Sequence, residues 1–139
     1  MQRAKLDISK VIHNDGQIEG LPRNPRLIKD AKFRKLCKSI KELPEMTEAR
    51  DLLVYPYKGE YVVIGGNMRF QAYKKLKRTK VPCCILPEDT PVEKLCQMII
   101  QDNNPFGEND WGLLANEWDS EELNDWGFDV WQEDKDRNK

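Results

Sequence analysis

Tyr61-Val62-Val63-Ile64-Gly65-Gly66-Asn67-Met68-Arg69-Phe70-Gln71-Ala72-Tyr73-Lys74-Lys75-Leu76-Lys77 is the stretch around which the chain is organised. Tyr61 to Ile64 is a short apolar run rich in β-branched residues, which reads as a buried strand. Gly65 and Gly66 break it. Asn67 follows as the expected helix N-cap, with a side chain able to accept from an orphan backbone N–H. Phe70, Ala72, Tyr73 and Leu76 then supply the apolar face of a helix, while Arg69, Lys74, Lys75 and Lys77 stay polar. The order is strand, Gly-Gly turn, helix. Such a junction aims backbone N–H groups and the positive end of a helix dipole outward, and glycine lets a ligand approach closely. With Arg69 in the first turn, the ligand it suits is a phosphate. A Gly-Gly pair between a strand and a helix also serves as a plain tight turn, and the stretch alone leaves both readings open.

Outward from this stretch the chain alternates between the two periodicities. Leu52 to Tyr55 reads as a strand, turned at Lys58-Gly59 into the Tyr61 run. Val81 to Leu86 reads as a third, and Leu6, Ile8, Val11 and Ile12 as a first strand over residues 6–12. Asp30 is the expected cap of a helix to about Glu42, with Phe33, Leu36, Cys37, Ile40 and Leu43 on one face. Thr90 is the expected cap of a helix over residues 91–101, with Pro91 at its first position and Val92, Leu95, Cys96 and Ile99 inward. Beyond it, helices are expected from Asn109/Asp110 and from Asp119.

A chain of 139 residues with 39% hydrophobic and 34% charged content suits one modest domain with an appendage. No apolar run is long enough to cross a bilayer and the start has no signal-peptide core, so the expected location is cytoplasmic. Cys37, Cys83, Cys84 and Cys96 lack zinc spacing and read as small buried hydrophobes. Charge divides sharply. Residues 1–80 hold 19 Lys/Arg against 9 Asp/Glu, and residues 81–139 hold 4 against 15. A basic body points to nucleic acid or nucleotide. The same division also describes solvated faces, an acidic part packed on a basic one, or a mimic of nucleic acid.

Gly65 to Ala72, followed by Val81-Pro82-Cys83-Cys84, resembles the ParB/sulfiredoxin superfamily. ParB-type N-terminal domains carry a Gly-x-Arg-Arg-x-x-Ala box at a helix head, then a Val-Pro-Val-type strand. Sulfiredoxins carry Gly-Gly-Cys-His-Arg. Here Asn67 stands at the sulfiredoxin cysteine and Met68 at its histidine, so the redox nucleophile is absent. Met68 also replaces the first ParB arginine, leaving Arg69. Asn24-Pro25-Arg26 is similar to a shortened form of the family's phosphate-facing loop, and Leu36-Cys37-Lys38-Ser39-Ile40 to its Leu-x-x-Ser-Ile. Asp102-Asn103 stand where ParB has Glu-Asn, whose asparagine helps hold a metal on a bound triphosphate; they also read as ordinary helix-end residues.

The resemblance implies an α/β (α+β) fold, a small mixed sheet with packed helices, over residues 1–105. An acidic, Trp-rich helical appendage over 106–131 and a disordered tail over 132–139 follow, like those beside phage-type or methyltransferase-associated ParB-like domains. It implies a phosphate or nucleotide site of Arg23, Arg26, Gly65, Gly66, Asn67, Met68 and Arg69, with Asp102 and Asn103 for the metal. The implied cofactors are Mg²⁺ and a nucleoside triphosphate, CTP or ATP. DNA is the expected partner, bound weakly and without sequence preference through Lys32, Lys35, Lys74, Lys75 and Lys77. A DNA methyltransferase or other protein would engage residues 106–131, and a second copy of the chain is a further candidate. The expected role is an accessory or regulatory module in DNA partition, modification or transcription. Two alternatives stand beside it: a metal-assisted phosphoryl-chemistry enzyme (triphosphatase, kinase or nuclease) and an interaction module acting through the acidic end.

Overall fold

The structure, a computed structural model, describes residues 1–24, 30–45, 50–103 and 119–125 of the chain. Strands β1 (Gln2–Asp7), β2 (Val11–Ile12), β3 (Leu52–Tyr57), β4 (Glu60–Gly65) and β5 (Lys80–Ile85) form one mixed sheet in the order β1-β5-β3-β4-β2. The β1/β5 and β3/β4 pairs are antiparallel, and β3/β5 and β2/β4 are parallel. Helices α1 (Asp30–Glu42), α2 (Asn67–Lys75), α3 (Val92–Asn103) and α4 (Ser120–Asp125) follow the expected pattern.

Alternation along β4 builds the layers, because successive side chains point to opposite faces. Val63 packs with Ile40 of α1 and Phe70, Ala72 and Tyr73 of α2. Val62 and Ile64 pack on the other face with Leu95 and Ile99 of α3 and with Ile18 and Leu21. The sheet is thus covered on both faces. β3 and β4 are joined by Lys58-Gly59, with φ of 51° and 79°. Positive φ at both turn residues is the type I′ geometry whose twist matches a two-residue hairpin. Pro56 fits within β3 because the pairing with β5 ends at Val54↔Ile85, so no ladder donor is needed from it on that side.

Residues 6–12, expected as one strand, belong to two. Asp7 accepts from the Ser9 backbone N–H at 3.0 Å and turns the chain through a 3₁₀ turn at Ile8–Lys10. β1 then lies on one edge of the sheet and β2 on the other. Helix α3 runs to Asn103, so Asp102 and Asn103 lie within its last turn. The Thr90 hydroxyl donates to the Pro87 carbonyl at 2.6 Å instead of capping α3. Asp30 is the first residue of α1, inside the helix. Asp119 caps α4, accepting from the Glu122 N–H at 3.0 Å. Arg26, the helix expected from residue 109 and the four tryptophans lie outside the described residues. Among the described residues, no helix is long and apolar enough to cross a membrane.

Two local conflicts yield predictions. Helix α2 ends with Lys77 N–H bonded to the Lys74 carbonyl at 3.1 Å and Arg78 N–H to Tyr73 at 3.0 Å. This is a Schellman closure, but the left-handed position is held by Lys77 at φ 58°. Lys77→Gly relieves that backbone and should stabilise the fold by about 1 kcal/mol, read as a higher denaturant midpoint. Tyr73 is fully buried among apolar side chains, and its hydroxyl has no hydrogen-bond partner among the described residues. Removing a buried, unpaired hydroxyl while keeping the ring recovers its desolvation penalty. Tyr73→Phe should therefore raise stability by about 1 kcal/mol; a loss in thermal unfolding would show that the hydroxyl is satisfied.

Candidate functional site

The Gly65-Gly66 turn opens into a cleft of about 340 Å³ lined by Leu36, Arg50, Gly66, Asn67, Met68, Arg69, Asp102 and Asn103. Four elements meet there. β4 delivers the turn, α2 begins in it, α1 adds Leu36, and the last turn of α3 adds Asp102 and Asn103. The register Leu53↔Gly65 carries the chain preceding β3 past the turn, which brings in Arg50.

Gly66, not Asn67, is the helix N-cap, left-handed at φ 89° and ψ 25°. Its carbonyl accepts the first helical bond from Phe70 N–H at 2.9 Å. Asn67 is the first helical residue, and its side-chain oxygen is 2.9 Å from His13 Nδ1. The physical reason is glycine's freedom at positive φ, which asparagine adopts less readily. Nor is the junction's donor row fully open. Asp102 accepts from the Gly66 N–H at 3.2 Å. Its carboxylate already meets the positive end of the α2 dipole. Gly65 permits this approach, since a Cβ there would lie 3.3 Å from Asp102 Oδ1.

The cleft therefore has two chemical sides. Arg50 and Arg69 bring guanidinium donors, the groups suited to bidentate phosphate contact. Asp102 brings a carboxylate. Asn103 donates through Nδ2 to Asn24 Oδ1 at 3.1 Å and to the Ile99 carbonyl at 2.9 Å. Its Oδ1 is buried and has no partner among the described residues. An orphaned buried acceptor beside a carboxylate fits a hard cation. Among the described residues, no three His, Cys, Asp or Glu side chains cluster as a self-sufficient metal site. Mg²⁺ takes one or two protein oxygens and completes its shell with water and phosphate.

Of the residues expected at a phosphate site, Gly66, Asn67, Met68 and Arg69 line this cleft with Asp102 and Asn103, and Gly65 sits against Asp102. Arg23 does not line it. Its Nε donates to the Asp15 carbonyl at 3.3 Å, in a loop fixed by buried Asn14, which accepts from the Gly16 N–H and donates to the Pro22 carbonyl. Arg50 was absent from the expected set. Its neighbour Asp51 is committed elsewhere, to Arg3 and to the Cys84 thiol, and the Arg3 hydrogen bond holds its carboxyl below the usual range. Of the four thiols, only Cys83 is fully buried, and burial pushes its pKa up to about 12. Burial also raises Cys37, and burial with the Asp51 carboxylate raises Cys84.

Of the lysines expected to face nucleic acid, Lys32 and Lys35 lie on α1, Lys74 and Lys75 on α2, and Lys77 just past the end of α2. Lys32, Lys74, Lys75 and Lys77 are exposed, and Lys35 is half-buried. Lys75 is close enough to Cys37 for its charge to act on that thiol, so the last turn of α2 adjoins the middle of α1. Lys38 on α1 pairs with Asp125 of acidic α4.

A mixed sheet covered on both faces, with a polar cleft at a Gly-Gly helix head, defines a small α/β domain. Residues 2–103 match the model of the ParB N-terminal domain, and the chain belongs to that family. No curated protein matches it in sequence. The structure is similar to the C-terminally truncated chromosome-partitioning protein ParB of Caulobacter crescentus complexed with CTP-γ-S. The TM-score is 0.64 and the identity 18%, over 91% of this chain and 71% of that one. The same protein complexed to the centromeric parS site gives 0.56 and 17%, over 91% and 66%. Sulfiredoxin of Arabidopsis thaliana aligns at 0.49 and 18%, over 71% of this chain and 98% of that one. At these identities the likeness to the two ParB structures is one of fold.

Proposed function

We propose that this domain is a DNA-associated module whose Gly66 cleft binds a nucleoside triphosphate together with Mg²⁺. The observation that carries the reading is the division of the cleft, with Arg50 and Arg69 as donors and Asp102 and the orphaned Asn103 Oδ1 as acceptors. A free anion would meet the Asp102 carboxylate; a metal–phosphate pair satisfies both sides at once. The fold's likeness to a ParB complexed with a CTP analogue makes CTP the first nucleotide to test. Asp102 is the one carboxylate among the described lining residues, and it already accepts from Gly66. Held by that bond and facing the cation, Asp102 is better placed to bind a metal–phosphate pair than to activate a nucleophile. DNA contact is assigned to the α1 and α2 lysines. It should be weak, sequence-independent and salt-sensitive, with Kd of about 10⁻⁴–10⁻⁶ M.

Calorimetric titration with CTP, ATP and GTP, each with and without Mg²⁺, tests the reading. Binding that requires Mg²⁺ is expected. No binding by any triphosphate would remove the nucleotide from the proposal, and rapid phosphate release would favour the enzyme. Tight, salt-insensitive binding to one DNA site would contradict the assignment to lysines.

A further inference from the structure

We infer that His13 is a positioning residue that fixes the Asn67 amide as a hydrogen-bond donor to the cleft, so that the group bound beside Asn67 is an oxyanion and not the cation. This deepens the proposed nucleotide site and rests on it. His13 is half-buried just after β2, and its ring leans on Phe70 with centroids 4.7 Å apart. Its main chain is held by Gln17, whose side-chain amide donates to the His13 carbonyl at 2.9 Å. Nδ1 lies 2.9 Å from Asn67 Oδ1, and Nε2 lies 3.4 Å from Lys74 Nζ.

The proton positions follow from Lys74. An ammonium has three donors and no acceptor, so the nitrogen facing it must accept. Nε2 is then bare and Nδ1 carries the proton, which it donates to Asn67 Oδ1. The opposite tautomer would set an N–H against the ammonium and a lone pair against the amide oxygen, two repulsions in place of two bonds. Lys74 is the charged or titratable side chain facing the ring among the described residues. With its oxygen occupied, Asn67 has its NH₂ left for the cleft that it lines. Lys74, His13 and Asn67 thus form a one-way chain of donors, each polarising the next. Asn67 joins Arg50 and Arg69 on the donor side, and the cation is left to Asp102 and Asn103.

Because His13 is the only histidine, untagged protein labelled with ¹⁵N-histidine gives a single pair of ring signals. The neutral ring should be the Nδ1–H tautomer; the Nε2–H tautomer overturns the inference whatever the protein binds. Affinity for Mg–CTP and for inorganic triphosphate is then measured on variants shown by thermal unfolding to be folded. Asn67→Asp keeps an acceptor for His13 but replaces the NH₂ with a carboxylate oxygen, and should weaken both probes by about tenfold or more. His13→Ala should weaken them by about tenfold, and His13→Asn, whose amide nitrogen can stand where Nδ1–H stood, should recover most of that loss. Unchanged affinity in Asn67→Asp, or equal affinity in His13→Ala and His13→Asn, overturns the inference while leaving the nucleotide site intact. Failure of the wild type to bind either probe overturns the nucleotide site and the ligand assigned to Asn67 with it.

Discussion

Gly66→Ala should destabilise the domain by about 2–5 kcal/mol. Two independent terms add. The backbone at φ 89° is left-handed, which costs a Cβ-bearing residue about 1–2 kcal/mol. The new Cβ would lie 2.8 Å from Leu52 Cδ2, well inside contact distance. Leu52 is fully buried at the centre of the sheet, so its end cannot swing away without disturbing neighbours, an overpacking cost of about 1–3 kcal/mol. Gly65→Ala is the informative comparison. Its backbone is not left-handed, and its Cβ would press on Asp102 at 3.3 Å and on Leu53 at 3.4 Å. It should lose less stability yet displace the Asp102–Gly66 bond. Urea unfolding of both variants checks this, and a Gly66→Ala loss below that of Gly65→Ala would contradict the account.

Arg69→Ala should weaken Mg–CTP binding by about 1.5–3 kcal/mol, roughly ten- to a hundredfold, the usual worth of a charge-assisted bond. Arg50→Ala should cost a similar amount, since it brings the second guanidinium into the cleft. Lys75→Ala is the control. It lies on the same helix but does not line the cleft, and its charge is exposed and screened, so its effect should be severalfold smaller. Calorimetry on the three variants decides the matter. Equal losses would mean that general positive charge, not the cleft, holds the nucleotide.

What the sequence revealed and what it concealed divide along a physical line. The Tyr61–Leu76 stretch was readable because its β-branched run, its glycine break and its helical apolar face are all local. The Lys58-Gly59 hairpin was readable for the same reason. Residues 6–12 misled, because Leu6, Ile8, Val11 and Ile12 look alike whether one strand or two; the division depends on β5 and β4 offering separate edges. Asn67 misled because asparagine is a good cap in isolation, whereas the adjacent Gly66 takes positive φ more easily. Arg50 gave no local signal. It reaches the cleft only through the β3/β4 register. Arg23 was read by its family position, and the Asn14 turn holds its loop elsewhere. The pairing of Asp102 with Gly66 joins residues far apart in sequence, which no window along the chain can show.

The placement of β1 and β2 on opposite edges of the sheet also sets an order of events during synthesis. The β3–β4 hairpin is closed by two residues and can form as soon as it leaves the ribosome. Gln2–Asp7 cannot pair until Lys80–Ile85 has been made. At about 5–20 residues per second, that is a wait on the order of 10 s. Until β5 arrives, β3, central in the finished sheet, is itself an open edge with Leu52 and Val54 uncovered. A nascent chain stalled in that interval is therefore the form most prone to pair with another chain, and completion of Lys80–Ile85 ends the hazard by giving β3 and β1 their shared neighbour.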